Sequence, residues 1–418
     1  MAKVDVNGVV EGIGKQLKLS EDSLVLSKDL KLLRFCILGF LFLLFQFAIF
    51  KGMEIWYRIP EDFVVFRLWR SAASKKNSRF RASNVVPWLM LPPKEKGSDV
   101  RSFFSLSKGM SRQINLPDAN FNKCFSSKGW LMVIYKDWSM YLLHPFSSLR
   151  IELPHIKTFH NWEALSTLDN AFYFISKCVL STSPSLESED YTLVVIYGCT
   201  RKLAYFRTGF KTWITIDSCQ RCYLDVIYYQ GQFYAIDGRS GITAIDIKSD
   251  NTVVAKRVVA DLQLELVPRE FWTKFYLVES AGKFLVVARK LRSEVTQTYK
   301  NYGTTGLRVV EVDLSRNENE WSPVKNLGNK ALFVGDNSSL SVQVFDNSNF
   351  KPNCIYFTDD WQDMYFSNNF PEGVGRDMGI YNLQDGSFER IETRFMCRCK
   401  CSLYHPFNPP MWVEESFQ

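Results

Sequence analysis

Six times between residues 129 and 379, a glycine or asparagine opens a short run rich in apolar and aromatic side chains. The runs are GWLMVIY at Gly129, NAFYFI at Asn170, GQFYAI at Gly231, GKFLVV at Gly282, GNKALFV at Gly328 and GIYNL at Gly379. Successive starts lie 41, 61, 51, 46 and 51 residues apart. In a strand-forming region, a repeat of about 40–50 residues is the signature of propeller blades with four strands each. From residue 101 onward the texture agrees: apolar residues alternate with period two and are interrupted by Gly, Asn, Asp and Ser, and no long 3.6-residue pattern competes. Two hairpins stand out. QFYAID and ITAIDI flank GRSG over Gln232–Ile247, and IYNL and FERI flank QDGS over Ile380–Ile391. Glycine in each turn supplies a left-handed backbone at little steric cost. The expectation is an all-β fold, a β-propeller of about six four-stranded blades. Strand material at 103–116 and 403–414 would complete one blade from both ends of the chain. A pair of β-sandwiches is the competing architecture.

Charge divides the chain. Lys and Arg number 51 against 44 Asp and Glu, a formal net charge of +7 over 418 residues. Residues 1–100 hold 16 basic and 10 acidic side chains, so nearly all of the surplus lies there and residues 101–418 are close to neutral. A nucleic-acid-binding domain would carry a basic face of its own, and none is visible in the composition. Three regions follow. Residues 1–58 form a helical N-terminal segment with Leu17, Leu24, Leu30 and Leu33 on an amphipathic pattern. Residues 59–100 form a basic linker with Arg67, Arg70, Lys75, Lys76, Arg79 and Arg81 in succession. Residues 101–418 form the propeller.

Within the first region, Phe35–Phe50 (FCILGFLFLLFQFAIF) is apolar throughout and bounded by Arg34 and Lys51. As a helix it spans ~24 Å, short of the ~30 Å hydrocarbon core of a bilayer. Snorkelling by the flanking cations, with Trp56 and Tyr57 at an interface, would close part of that gap. The alternatives are a membrane anchor and a buried helix. The first 30 residues are polar and mixed in charge, unlike a signal or transit peptide. Ten cysteines, spread from Cys36 to Cys401, read as reduced thiols of the cytosol or nucleus.

Motifs for catalysis are lacking. Four histidines (144, 155, 160 and 405) stand outside any HExxH pattern, and there is no GxSxG elbow. Gly12-Ile13-Gly14-Lys15 misses the phosphate loop, because Val9 stands where its first glycine belongs and Gln16 replaces Ser or Thr. Gly373–Gly379 misses GxGxxG by one residue. For zinc, Cys219 and Cys222 make one CxxC, while Cys397, Cys399 and Cys401 alternate near His405. Tetrahedral zinc asks for four ligands, usually from paired short spacings. Three alternate cysteines also fit as small apolar residues on one strand face, and the reading adopted is no metal, no cofactor and no enzyme. Partner binding fits better, through loops extending from a rigid scaffold. The longest candidates are Ser293–Gly306 and Thr358–Asp377. The second carries Trp361, Tyr365, Phe366 and Phe370 as candidate partner-binding anchors.

Five stretches in order also resemble one known family. These are Gly129–Pro154, Leu327–Val342, Cys354–Asp360 (CIYFTDD), Asp377–Ile391 (DMGIYNLQDGSFERI) and Pro409–Trp412 (PPMW). Together they resemble the plant DUF295 family of KIB-type β-propellers over roughly residues 100–415. The resemblance implies a receptor without catalytic activity. Many members carry an N-terminal F-box that docks on the Skp-type adaptor of a cullin–RING ubiquitin ligase, while the propeller selects the protein to be ubiquitinated. Ile59-Pro60-Glu61-Asp62 is similar to the opening of an F-box, and the stretch from Phe66 through Trp69 to Ala73 is similar to its close, so these residues are the candidate adaptor contacts. Only Phe63–Val65 separate the two, where the module needs ~20 more residues. Leu30–Phe35 resembles part of the missing segment, out of order. The function expected from the whole is target recognition for an SCF-type ubiquitin ligase, in the nucleus or cytoplasm. The alternative is a propeller interaction module uncoupled from ubiquitination, held at a membrane through 35–50.

Overall fold

In the computed structural model the described residues run from Val86 to Glu415, apart from 92–98, 120–121, 136, 161, 163–173, 186–189, 218–221, 263–270, 296–299, 316–319, 347, 361–376 and 392–409. They form six antiparallel or mixed sheets, five of four strands and one of five. Numbered around the ring and read from the centre outward, blade 1 is Met411–Glu414, Pro87–Met90, Val100–Ser105 and Met110–Asn115. Blade 2 is Lys123–Ser127, Trp130–Ile134, Met140–Leu143 and Arg150–Leu153. Blade 3 is Ile175–Leu180, Thr192–Tyr197, Lys202–Arg207 and Ile214–Ile216, and blade 4 is Tyr223–Tyr229, Gln232–Asp237, Ile242–Ile247 and Val253–Val259. Blade 5 is Phe271–Ser280, Lys283–Val295, Lys300–Val312 and Trp321–Val324. Blade 6 is Leu340–Gln343, Lys330–Val334, Cys354–Phe357, Gly379–Asn382 and Phe388–Arg390.

The ring closes because every sheet is apolar on both faces. Along the second strand of blade 2, Trp130, Met132 and Ile134 pack towards blade 3, while Leu131 and Val133 pack towards blade 1. In the second strand of blade 6, Ala331 and Phe333 face blade 1, whereas Leu332 and Val334 face blade 5. Period-two geometry thus sends alternate side chains of one apolar run into two different interfaces. The buried apolar residues form six clusters, each joining two adjacent blades and the last joining blade 6 to blade 1. That pattern defines a six-bladed β-propeller. The closing strand Met411–Glu414 pairs antiparallel with Pro87–Met90, so blade 1 is built from both ends of the described chain. Trp412 is fully buried there, edge-on to Phe333 at 5.0 Å and to Tyr356 at 6.3 Å.

The innermost strands all run the same way, which gives the propeller two distinguishable ends. At the end where these strands finish, Lys128-Gly129, Gln230-Gly231 and Ala281-Gly282 join first to second strands in blades 2, 4 and 5. Both residues of each pair have positive φ, at 51° and 81°, 46° and 87°, and 53° and 77°. This is the type I′ geometry whose twist matches paired strands. Three of the six expected repeat starts are therefore hairpin turns. Asn170 lies outside the described residues. Gly328 and Gly379 lie at the starts of strands at other positions in blade 6.

Blade 6 breaks the regular order. Its second and third strands are parallel, pairing Ala331–Val334 with Cys354–Phe357. After Val334 the chain leaves the sheet for the ring's centre and returns as the innermost strand Leu340–Gln343. Both expected hairpins are present, as Gln232–Asp237 with Ile242–Ile247 and as Gly379–Asn382 with Phe388–Arg390. Ser293–Gly306, expected to be a loop, is instead largely strand: the second and third strands of blade 5 pair from Leu285↔Glu311 out to Val295↔Lys300. Cross-strand pairing holds the stretch despite its polar composition, with a bulge at Lys290/Leu291 accommodating the extra residue. The first strand of the ring, Pro87–Met90, comes from the stretch 59–100.

Candidate functional site

Charge is concentrated at the opposite end, where the innermost strands begin. Lys123, Lys177, Asp225 and Lys274 sit near the starts of these strands in blades 2, 3, 4 and 5. Two segments of blade 6, Gly335–Asn337 and Thr358–Asp360, supply their partners. Lys177 Nζ donates to Gly335 O at 3.1 Å and Asn337 O at 2.6 Å, and pairs with Asp225 at 2.9 Å. Blades 3 and 6 stand on opposite sides of a six-membered ring, so these bonds place Gly335–Asn337 across the axial channel. Ser338 continues the crossing, donating N–H to Ser126 O and sharing a hydroxyl bond with Ser127, both at 2.7 Å. A Cβ on Gly335 would stand 2.1 Å from Thr358 Oγ1, so close passage of the two segments requires glycine there.

Arg289, in the second strand of blade 5, organises the rest. Its Nη1 donates to Thr358 O at 2.9 Å, to Asp360 Oδ1 at 3.2 Å and to the Tyr276 hydroxyl at 3.2 Å. Its Nη2 donates to Asp377 Oδ2 at 2.6 Å and Asp377 O at 2.9 Å, and its Nε to Thr304 Oγ1 at 2.6 Å. Thr304 returns a backbone N–H to Asp377 Oδ1 at 2.9 Å. Lys274 Nζ meets Asp360 Oδ2 at 2.9 Å and also donates to the Asp360 carbonyl. One buried guanidinium thus grips both Asp360 and Asp377, the two residues that bracket 361–376.

The electrostatics follow from burial and pairing. Burial alone would raise the Asp360 carboxyl, but Lys274 and Arg289 hold it below the usual carboxylate range. Burial works against the charge on Arg289, yet Tyr276, Asp377 and Asp360 raise its pKa well above the ordinary value. Burial, with Asp360 alongside, pushes the Tyr276 hydroxyl far up. Asp225 is raised by burial against the opposing pull of Lys177. Burial lowers the Lys123 ammonium, whose partner Asp336 stands 3.8 Å away. The clamp groups satisfy one another, so the arrangement suits holding a surface in shape rather than activating a nucleophile.

Blade 5 also projects from this end. Its second and third strands run for 13 residues each, against 3–7 for every strand of the other blades. Beyond Arg292↔Phe271 the innermost strand no longer accompanies them, and the outermost strand reaches only Val309. A two-stranded ribbon, paired out to Val295↔Lys300, therefore rises beside Asp377.

Trp361, Tyr365, Phe366 and Phe370 lie outside the described residues, and so do Ile59, Pro60, Glu61, Asp62, Phe66 and Trp69, the apolar block 35–50, Cys219, and the cysteines at 397, 399 and 401 with His405. Among the described residues no helix is long and apolar enough to cross a membrane, and no three His, Cys, Asp or Glu side chains gather as metal ligands. Cys199 and Cys222 are exposed free thiols. The charged network was missed in the sequence: its blade 6 members, Gly335–Asn337, Thr358–Asp360 and Asp377, sit inside stretches that carried the family resemblance, whereas Lys177, Asp225, Lys274 and Arg289 lie outside them. The signals were an arginine within the apolar run FLVVARKL and acids directly after buried runs, in FVGDN and YFTDD.

The ring thus carries interlocked charges and a projecting ribbon at one end. The chain belongs to the KIB1-4 beta-propeller family, whose model matches residues 103–382. F-box protein SKIP23 of Arabidopsis thaliana is 24% identical over 414 aligned residues, covering 87% of this chain and 92% of that protein. F-box protein At2g17036 of the same plant is 24% identical over 403, covering 85% and 91%. F-box/kelch-repeat protein KIB1, also from Arabidopsis thaliana, is 19% identical over 295, covering 68% of each. Among solved structures, the N-terminal domain of Nup159 matches 72% of this chain and 75% of its own at 10% identity and a TM-score of 0.31. The family is one of F-box-associated propellers and not of enzymes.

Proposed function

We propose that this protein is the target-recognition subunit of an SCF-type ubiquitin ligase, in which the propeller binds the protein to be modified and the N-terminal segment meets a Skp-type adaptor. One observation carries the reading. Residues 86–418 are about four fifths of the chain, so a match to SKIP23 over 87% of it runs into the N-terminal segment that holds Ile59–Asp62 and Phe66–Trp69. The propeller supports the same division of labour, since its interlocked charged end and the ribbon of blade 5 present elements suited to binding. The proposed compartment is the nucleus or cytoplasm.

Co-purification tests it. The full chain, co-expressed with a Skp-type adaptor, should retain the adaptor through affinity and size-exclusion steps, and combined Pro60→Ala and Trp69→Ala substitutions should release it. Absence of adaptor under conditions where an intact F-box protein retains it would remove the ligase role. The apolar block Phe35–Phe50 supports a second reading, an interaction module held at a membrane. Extraction that needs detergent, and no longer needs it once 35–50 is deleted, would favour that reading.

A further inference from the structure

The ribbon of blade 5 carries an unusual concentration of charge. Residues 288–308 contain five basic side chains (Arg289, Lys290, Arg292, Lys300 and Arg308) and one acidic, Glu294. Residues 101–418 as a whole are close to balanced, so this stretch is a local exception. Arg289 is consumed in the clamp, and the four remaining cations exceed Glu294 by three whatever pairs form along the ribbon. Among the described residues, the two acids at the base of the ribbon, Asp360 and Asp377, are buried and bound to Lys274 and Arg289. The two strands of the ribbon are also tied to each other and to the blade. Its backbone is paired out to Val295↔Lys300, and Thr304 is fixed by Asp377. Preorganised positive charge on a projecting element favours steering and docking of a complementary surface at low entropic cost.

We propose that the ribbon formed by Lys283–Val295 and Lys300–Val312 is the docking element of the propeller, and that its partner is an acidic segment of the target protein. This rests on the recognition reading above and adds the place and the charge of the contact. Basic residues on a long strand edge also discourage pairing with other chains. That protective role predicts no preference between acidic and neutral peptides, so the two are separable.

The experiment uses the full chain and a fluorescein-labelled 12-residue peptide of alternating Glu, Asp and Ser, with an all-Ser/Gly peptide of equal length as the neutral probe. Fluorescence anisotropy should show binding of the acidic peptide only, weakening as salt shortens the screening length from roughly 10 Å at 0.1 M. K290E/R292E should weaken it by about tenfold or more, the scale of losing close charge pairs at an interface. K248E/K256E, on blade 4, should change it by less than about twofold, as distant surface charges do. Equal binding of both peptides, no binding at low salt, or an equal loss in the blade 4 variant would each overturn the proposal. Adaptor co-purification is read independently, so a chain that binds the acidic peptide but not the adaptor would sink the ligase role and leave the docking element standing.

Discussion

The two ends of this propeller solve the same problem in different ways. At the hairpin end, the first and second strands of blades 2, 4 and 5 are joined by two-residue turns that fold locally, and Val86 enters and Glu415 leaves there through the pairing of Pro87 with Glu414. At the charged end, segments of blade 6 cross the channel, and order depends on ion pairs such as Arg289 with Asp360 and on hydrogen bonds between residues as far apart as Lys177 and Asn337. One end is stabilised by backbone geometry that any neighbour tolerates. The other is stabilised by partners that must all be present together. Shape there can be specified in detail, and a single loss is felt widely.

The comparison can be tested from its largest expected effect downward. Trp412→Ala should harm both ends alike, since it opens the contact between blades 1 and 6, and should cost about 5 kcal/mol in urea unfolding, the upper part of the range for a buried tryptophan. Arg289→Met should cost about 3–4 kcal/mol, because it leaves Asp360 and Asp377 buried without their guanidinium. Hydrogen exchange would localise that loss. Amides of 303–308 and 377–382 should exchange faster, while those beside Gly129 and Gly231 keep their protection relative to the global opening rate. Uniform acceleration would erase the distinction between the ends.

The same variant has a pH signature. Asp360 is depressed in the folded chain, so the stability it contributes is fully present above its unfolded value of about 4 and is lost as pH falls through the lower, folded value. Asp225, raised by burial, works in the opposite direction, and the difference between wild type and Arg289→Met isolates the clamp. The gap between the two proteins should therefore narrow below about pH 4. A constant gap would count against charge as the origin.

Two smaller substitutions place one chemistry at both ends. Gly335→Ala at the charged end must displace Thr358 and should cost about 2–3 kcal/mol. Gly282→Ala at the hairpin end meets no atom within 4 Å and carries only the strain of its φ of +77°, about 1 kcal/mol. Arg101→Met should change stability least, by less than about 1 kcal/mol, or raise it. This arginine is as buried as Arg289, but its one bond is to Ala119 O at 3.4 Å, its Nε and Nη2 have no partner among the described residues, and burial pushes its pKa down to about 10. A loss as large as that of Arg289→Met would mean that the two buried arginines do comparable work.

What could be read ahead of the structure divides along the same line. Gly129, Gly231 and Gly282 were legible because a type I′ turn demands positive φ, and that demand shows in the residue type. The runs they open were legible because strands buried on both faces read as continuous apolar stretches. Blade 6 was not legible. Nothing local announces that the chain leaves after Val334, crosses the channel and returns as an innermost strand, since the reason lies in Lys177 and Ser127 more than 150 residues away. The ribbon reads as a loop in the sequence because Gly303, Thr304, Thr305 and Gly306 carry turn-like composition, while cross-strand pairing and Asp377 decide its conformation. The candidate anchors at 361–370 stand out in the sequence only by their aromatic content. The residues that frame them, Asp360 and Asp377, fall within stretches of family likeness, and nothing in their local sequence announces that one arginine binds both.

The closing strand has a consequence for how this protein is made. Trp88 and Glu415 are hydrogen-bonded at 3.0 Å although 327 residues separate them. During synthesis, which proceeds at roughly 5–20 residues per second, blades 2 to 5 can assemble as they emerge. The strands at Pro87, Val100 and Met110 must meanwhile wait tens of seconds for Met411–Glu414 to leave the ribosome. Over that interval the edge at Pro87–Met90 and the apolar face of blade 6 stand open, and they are the surfaces on which a chaperone would be expected to act. A nascent chain stopped just before Met411 would hold nearly every blade yet present two raw edges, so quality control would treat it as misfolded although almost all of the sequence is present.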